Sequence, residues 1–92
     1  MSDSTEQAVV VYSKAQCPYC DYAKNLLGEL KIPYEEVRVD LNPDRLDEML
    51  DVSGGKKTFP QIVVNGIAVG GYTDLLQYHQ SGKLNDLLGL DG

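Results

Sequence analysis

Several features that mark whole classes of protein are missing from this chain of 92 residues. It has only two cysteines, which excludes a small secreted scaffold held together by many disulfides. No stretch approaches the ~18–20 consecutive apolar residues of a membrane-spanning helix, so we expect no membrane partner. Positive charge is also scarce, because eight Lys and Arg stand against fourteen Asp and Glu. The net charge of -6 argues against nucleic acid and anionic membrane surfaces as partners.

The beginning of the chain carries no recognisable targeting signal. Residues 1–7 are polar and acidic, without the apolar core of a secretory signal or the arginine-rich character of a transit peptide. We expect a disordered N-terminal tail at 1–7, followed by one compact domain at 8–92. The few cysteines fit a reducing compartment, and we expect the cytoplasm, or an organelle stroma or matrix if a transit peptide has been removed.

The most informative segment is the quartet Cys17-Pro18-Tyr19-Cys20, which follows an apolar run at 8–12 and precedes a helical pattern. This placement exposes the first sulfur at the N-terminus of a helix, where unpaired backbone N–H groups and the helix dipole favour a thiolate. Cys17 is therefore the predicted nucleophile. Residues at i and i+3 share a helix face, so Cys20 is placed to close a disulfide with it.

Hydrophobic periodicity and turn residues predict four strands and several helices. Asn65-Gly66 between two β-prone runs indicates a tight antiparallel hairpin, and a helix between the first two strands indicates that they are parallel. The predicted fold class is α/β, a mixed four-stranded sheet with helices on both faces in the order β-α-β-α-β-β-α. The predicted elements are a strand at 8–13, a helix at 18–31 ended by Pro33, a strand at 34–39, a helix from 40–43 to the stop at 54–55, a hairpin at 61–70, and helices at 72–80 and 83–88.

Nearly all of the chain after residue 7 resembles the glutaredoxin family, which has the thioredoxin fold. Four separated pieces carry the resemblance: Lys14 before C-P-Y-C, Thr58-Phe59-Pro60, the hairpin at Asn65-Gly66, and the segment 70–74, G-G-Y-T-D. The quartet is similar to that of dithiol glutaredoxins, whereas thioredoxins carry tryptophan and Gly-Pro, and this chain has no tryptophan. Two departures bear on ligand affinity. The family often has valine at Phe59 and cysteine or serine at Tyr72.

The resemblance implies a glutathione-dependent thiol–disulfide oxidoreductase that reduces protein–glutathione mixed disulfides and protein disulfides. Cys17 would attack the substrate, and Cys20 would resolve mixed disulfides with target proteins. The expected co-substrate is glutathione and the expected partners are glutathionylated or disulfide-containing proteins. We expect the protein to act as a monomer and to need no metal.

The resemblance also implies a glutathione site with a cis peptide bond before Pro60. The backbone of Phe59 would then be unpaired at a sheet edge and able to bind an extended peptide. Lys14, with Lys56 or Lys57, would pair with the glycine carboxylate of glutathione. The complete set of expected glutathione-binding residues is Lys14, Tyr19, Lys56, Lys57, Thr58, Phe59, Pro60, Gly71, Tyr72, Thr73 and Asp74.

The other end of glutathione would bind at the start of the third predicted helix. Thr73 would bind the γ-glutamyl carboxylate and Asp74 the ammonium group, and the glycines at 70 and 71 would let the ligand approach the backbone. Ordinary helix capping is the alternative for Thr73 and Asp74. Tyr19 has two interpretations as well: a core aromatic on the helix stripe, or a ring that flanks glutathione.

Three other functions remain to be weighed. A zinc site needs four ligands, and the only histidine, His79, lies in a distant predicted helix, where we assign it no chemistry. A dimer bridging a [2Fe–2S] cluster through Cys17 and two glutathiones is disfavoured by Pro18, since cluster-holding relatives have a smaller or more flexible residue there. The last is a dedicated electron donor, for instance to ribonucleotide reductase, reduced by thioredoxin reductase. Lys14 and the segment 72–74 favour glutathione instead.

Overall fold

The computed structural model describes residues 8–89, so the expected tail at 1–7 lies outside the described residues. The predicted order of elements is confirmed, with two helices closing the chain. No helix of residues 8–89 combines the length and the apolar character needed to cross a bilayer. The elements are β1 (Val9–Ser13), α1 (Pro18–Glu29), β2 (Glu35–Arg38), a 3-10 turn (Pro43–Arg45), α2 (Leu46–Ser53), β3 (Gln61–Val64), β4 (Ile67–Gly70), α3 (Tyr72–Ser81) and α4 (Lys83–Leu88).

The four strands form one mixed sheet in the order β2-β1-β3-β4. β1 runs parallel to β2 and antiparallel to β3, and β3 pairs with β4 across the predicted hairpin. Asn65 and Gly66 have φ of 50° and 81°, so both turn residues take the left-handed conformation that a type I′ hairpin requires. The valine-rich β1 is an inner strand, as expected for a nearly continuous apolar run.

Each face of the sheet packs against helices and forms its own hydrophobic cluster. On one face, side chains of β1 and β3 meet Ala23 and Leu27 of α1, Leu75 of α3 and Leu84 of α4. On the other face, Met49 of α2 packs against side chains of β1, β2 and β3. The prediction of helices on both faces is confirmed. The sheet therefore fixes where the N-termini of α1 and α3 lie relative to the chain that enters β3.

α1 is shorter than predicted, and Pro33 is not what ends it. The helix stops at Glu29, and Lys31 takes a left-handed conformation with φ 59°. The N–H of Lys31 bonds the carbonyl of Gly28 at 3.1 Å, and that of Ile32 bonds Leu27 at 2.9 Å. This pattern is typical of a Schellman motif, which turns the chain so that Ile32 enters the core, where it is 8% exposed.

The start of α2 also differs from the prediction. Pro43 opens a single 3-10 turn, and the α-helix begins only at Leu46. Proline suits this first turn because its φ is already helical and it has no N–H to satisfy. The predicted stop is confirmed, since Gly54 caps the helix in the left-handed conformation with φ 75°.

A polar network ties α2 to the sheet on the same face. The hydroxyl of buried Tyr12 donates to the carboxylate of Glu48, which also accepts from Arg45 Nε at 2.6 Å and Nη2 at 2.9 Å. The hydrogen bonds from Arg45 and then from Tyr12 lower the pKa of Glu48 below its usual 4.5, although burial opposes the shift. Burial and the bond to Glu48 raise the pKa of Tyr12. Glu48 therefore stabilises the fold in its charged form.

We expect Glu48→Gln to lower the free energy of unfolding by about 1 kcal/mol at neutral pH, since the network is partly exposed. Because the folded pKa lies below the unfolded one, the contribution of Glu48 is complete above pH 4.5 and is lost as the pH falls through the folded pKa. Urea unfolding at neutral pH and at about pH 3 measures this. Glu29→Gln, at an exposed carboxylate, is the control. An equal decline at low pH in wild type and Glu48→Gln would contradict the assignment.

Candidate active site

The two cysteines sit at the N-terminus of α1 and form a disulfide, with their α-carbons 5.2 Å apart. Cys17 is the N-cap residue, in an extended conformation, and its sulfur accepts a hydrogen bond from the N–H of Cys20 at 3.2 Å. Cys20 is 1% exposed, whereas Cys17 is partly exposed. An external reagent can therefore reach Cys17 more readily than Cys20, and a thiolate at Cys17 would face the unpaired N–H groups of the helix.

The loop before Cys17 is held by a carboxylate from the end of β2. Asp40 accepts the backbone N–H of Ala15 at 3.2 Å. Arg38 binds the same carboxylate through Nε at 2.8 Å and Nη2 at 2.7 Å. These bonds, that of Arg38 foremost, lower the pKa of Asp40 to about 2. The sequence analysis missed this anchor because nothing local links Asp40 to a loop 25 residues earlier.

A cavity of about 310 Å³ opens beside the cysteine motif. All of its lining residues were predicted as glutathione contacts, and they come from three separate parts of the chain. The Phe59–Pro60 peptide bond is cis, which confirms the expectation from the resemblance. The lining consists of Tyr19 from α1, Thr58, Phe59 and Pro60 from the segment before β3, and Gly71, Tyr72 and Thr73 from the start of α3.

The wall of the cavity at Thr58 is held in place by Gln61, which the sequence analysis did not single out. The amide of Gln61 is 2% exposed and donates to the carbonyl of Thr58 at 2.9 Å and to its hydroxyl at 2.8 Å. A glutamine at the start of an apolar strand was the available signal, because a buried amide needs partners.

The expectation for Phe59 needs one correction. Its backbone makes no hydrogen bond with another backbone group among residues 8–89, as expected for a segment that is free to bind a peptide. However, β3 is an inner strand, so Phe59 lies beyond the end of that strand and not at a sheet edge. The backbone is unpaired because the neighbouring strand β1 pairs only up to Gln61.

The three lysines of the predicted site are not equivalent. The ammonium nitrogen of Lys14 lies 5.5 Å from the centre of the ring of Phe59, which lines the cavity, although Lys14 itself does not. Lys56 and Lys57 are exposed, do not line the cavity and form no ion pair within the described part of the chain. Lys14 is therefore the cation that the structure places best for an anionic ligand.

The start of α3 bears on the alternatives for Thr73 and Asp74. Gly71 is the N-cap, and its N–H donates to the carboxylate of Asp74 at 3.1 Å. Capping is therefore confirmed for Asp74, while Thr73 lines the cavity. Gly70 has φ 118°, and a Cβ there would collide with the Asp74 carboxylate. The space beside Gly70 thus belongs to this cap and not to a ligand, whereas Gly71 does line the cavity.

Three tyrosines form an aromatic cluster beside the disulfide, which we call the tyrosine triad: the exposed Tyr19 and Tyr22, and the half-buried Tyr72. The ring centres are 5.8 Å apart for Tyr19 and Tyr22, 6.3 Å for Tyr19 and Tyr72, and 5.7 Å for Tyr22 and Tyr72. Tyr19 is 57% exposed, so the interpretation of it as a core aromatic is wrong. The sequence analysis missed Tyr22, although its position three residues after Tyr19 places both on one helix face.

Residues 8–89 contain few of the side-chain groupings that a metal site needs. They contain no group of three or more histidine, cysteine and carboxylate side chains placed to hold one ion. His79 is half-buried on α3, as predicted. The zinc alternative therefore has no ligands beyond the two cysteines among these residues.

Comparison with known proteins identifies one family whose sequences and structures match this chain. The family model described as Glutaredoxin matches residues 9–69. Glutaredoxin 1 of Rickettsia prowazekii is 38% identical over 89 residues, covering 96% of this chain and 94% of the relative.

Two solved structures show the same fold. A buckwheat glutaredoxin–glutathione complex superposes with a TM-score of 0.78 at 29% identity, covering 90% of this chain and 77% of that one. A dithiolic glutaredoxin from Trypanosoma brucei brucei gives a TM-score of 0.76 at 34% identity, covering 89% and 87%.

Proposed function

Because the chain belongs to the glutaredoxin family of glutathione-dependent thiol–disulfide oxidoreductases, we propose that it removes glutathione from protein thiols and reduces protein disulfides through Cys17 and Cys20. The observation that carries this proposal is the position of the Cys17 sulfur, partly exposed at the N-terminus of α1 in a motif whose Tyr19 lines a cavity of about 310 Å³. Such chemistry needs a supply of reduced glutathione, so we place the protein in the cytoplasm. One chain supplies every group, so it acts as a monomer.

Deglutathionylation requires only Cys17. Its thiolate attacks the glutathione sulfur of a mixed disulfide, the new S–S bond forms, and the substrate protein leaves as a thiolate that takes up a proton. A second glutathione, as thiolate, then attacks the glutathione sulfur on Cys17. This step releases glutathione disulfide and restores the Cys17 thiolate, so each cycle converts one mixed disulfide and one reduced glutathione into a protein thiol and one glutathione disulfide.

Reduction of a protein disulfide requires both cysteines. Cys17 attacks one sulfur of the target and forms a mixed disulfide with it. Cys20 then attacks Cys17, which frees the target as a dithiol and leaves the Cys17–Cys20 disulfide seen in this structure. Two glutathiones return the pair to the reduced state. The Cα separation of 5.2 Å lies within the range that a disulfide needs, so the second step requires no large movement.

The cavity supports a bound glutathione in an extended conformation. The unpaired backbone of Phe59 would bond the peptide part, as one strand bonds another. Lys14 would pair with the glycine carboxylate of glutathione. Lys56 and Lys57, which directly precede Thr58, are the other candidate cations. Thr73, at the N-terminus of α3, would bind the γ-glutamyl carboxylate, while the free oxygen of Asp74 would face the ammonium group.

The experiment that tests this function is a coupled assay of the wild-type protein. With NADPH, glutathione and glutathione reductase, we expect rapid reduction of the mixed disulfide between glutathione and 2-mercaptoethanol. Replacing glutathione and its reductase with thioredoxin reductase tests the dedicated-donor alternative. Turnover only with thioredoxin reductase would overturn the proposal.

Lys14→Ala is expected to raise KM for the glutathione mixed disulfide about fivefold and to leave kcat nearly unchanged, because a partly exposed ion pair contributes about 1 kcal/mol. Lys83→Ala is the matched control. Lys83, at the start of α4, also lies over an aromatic ring, with its ammonium nitrogen 5.8 Å from the ring centre of Tyr78 in α3, and it does not line the cavity. Equal KM values for wild type and Lys14→Ala would remove Lys14 from the glutathione site.

A further inference from the structure

We propose that the tyrosine triad is the docking surface for the polypeptide of the substrate, and that it favours substrates with an arginine close to the reacting cysteine. This inference rests on the proposed function and adds a selectivity among protein substrates to it. Glutathione in the cavity accounts for one half of a mixed disulfide. The other half is the substrate protein, which leaves the glutathione sulfur and must therefore lie outside the cavity that glutathione fills.

The triad is continuous with the cavity but extends beyond it. Tyr19 and Tyr72 line the cavity, while Tyr22 does not. The Tyr22 ring nevertheless lies 5.8 Å from Tyr19 and 5.7 Å from Tyr72, centre to centre. A substrate whose glutathione lies against Tyr19 therefore has Tyr22 as the next aromatic surface outside the cavity.

Two members of the triad, Tyr19 and Tyr22, form one continuous exposed aromatic surface, unlike single apolar residues scattered over a protein surface. Of the four exposed large hydrophobic side chains among the described residues, Tyr19 and Tyr22 lie together, at 57% and 51% exposure, while Leu41 and Ile67 stand elsewhere. No hydrogen bond joins a hydroxyl of the triad to another residue within 8–89. The hydroxyls, and the outer ring surfaces of Tyr19 and Tyr22, are available to a partner.

Charge determines which side chain fits these rings. Within residues 8–89, the cation–ring contacts are those of Lys14 with Phe59 and Lys83 with Tyr78, so no lysine or arginine covers the triad. The chain carries a net charge of -6, and Asp21, next to Tyr22 on α1, pairs with Lys24 at 3.6 Å yet keeps 70% of its side chain exposed. A guanidinium stacks flat on a tyrosine ring and is attracted to its negative face. Arginine is therefore the expected contact.

The test compares glutathionylated peptides that differ only two residues from the cysteine, where they carry Arg, Lys or Gln. We expect wild type to use the Arg peptide with the highest kcat/KM. Tyr22→Ala should lower kcat/KM for that peptide about three- to tenfold, through KM, and remove the preference. The value for the 2-mercaptoethanol mixed disulfide should stay at the wild-type level. Tyr22→Phe should keep most of the preference, because the ring remains.

Leu41→Ala, which removes an exposed apolar side chain away from the triad, is the control and should match wild type. Equal use of the three peptides by wild type would overturn the inference, and so would an equal loss by Tyr22→Ala on peptides and on the small disulfide. Self-association of wild type that Tyr22→Ala abolishes would assign the triad to a second copy and overturn it too. Failure of wild type on the small disulfide would instead overturn the proposed function itself.

Discussion

Cys17→Ser is expected to lose both activities, deglutathionylation and protein disulfide reduction, by about a thousandfold or more, because an un-ionised hydroxyl replaces the attacking thiolate. The two routes share this first step, and no other described residue supplies a second exposed thiol. The loss is measured in the coupled glutathione reductase assay, with a mixed disulfide for one route and a protein disulfide for the other.

The structure makes Cys17→Ser a clean variant. Cys17 is the N-cap of α1, and serine is among the best N-cap residues, since its hydroxyl can accept the N–H of Cys20 as the sulfur does. The reduced variant should therefore keep the helix and differ little in Tm from the reduced wild type. In the reduced wild type, Cys17 should react quickly with iodoacetamide at about pH 6, where a free cysteine is almost wholly protonated. Retained turnover in Cys17→Ser would assign the nucleophile elsewhere.

Cys20→Ser is expected to keep deglutathionylation near the wild-type rate and to lose protein disulfide reduction by about a hundredfold or more. Without the second sulfur, the mixed disulfide between Cys17 and a target protein has no intramolecular route to resolution. Glutathione must then resolve it in a bimolecular step, without the high effective concentration that a neighbouring thiol provides.

Burial makes Cys20 suited to this second role and unsuited to the first. It is 1% exposed, so a substrate disulfide cannot reach it, whereas the sulfur of Cys17 is within bonding distance. Both activities of Cys20→Ser are measured side by side, one on a glutathionylated peptide and the other on an intramolecular protein disulfide. Equal retention of both activities would refute the division of labour. Equal loss of both would assign Cys20 a part in deglutathionylation.

The elements of the fold were predictable because local sequence patterns encode them. The valine run of β1 indicated a buried inner strand, and Asn65-Gly66 indicated the hairpin. The errors fell at boundaries. α1 ended at Glu29 because Ile32 is drawn into the core, a tertiary contact that overrides a helical pattern continuing to Lys31.

The site was predictable to the extent that it could be matched to a family motif. The residues that line the cavity were all named beforehand, since the cysteine quartet, the segment before β3 and the start of α3 each carry a motif. Gln61, Asp40 and Tyr22 carry no such motif. Their contacts with Thr58, Ala15 and the other tyrosines could be identified only once the chain was folded.

By itself, the sequence determined the chemistry available to this protein: a pair of sulfurs at a helix start, in an acidic chain with little positive charge. Those properties depend on residue types at short spacing, which local backbone geometry converts into structure without help from distant residues. Only the tertiary structure decided that Gln61 holds Thr58 in place, that Lys14 is the lysine over the Phe59 ring, and that a third tyrosine extends the aromatic surface outward. These depend on packing between elements far apart in the chain, where position is set by the sheet and the two hydrophobic clusters together and not by any local pattern.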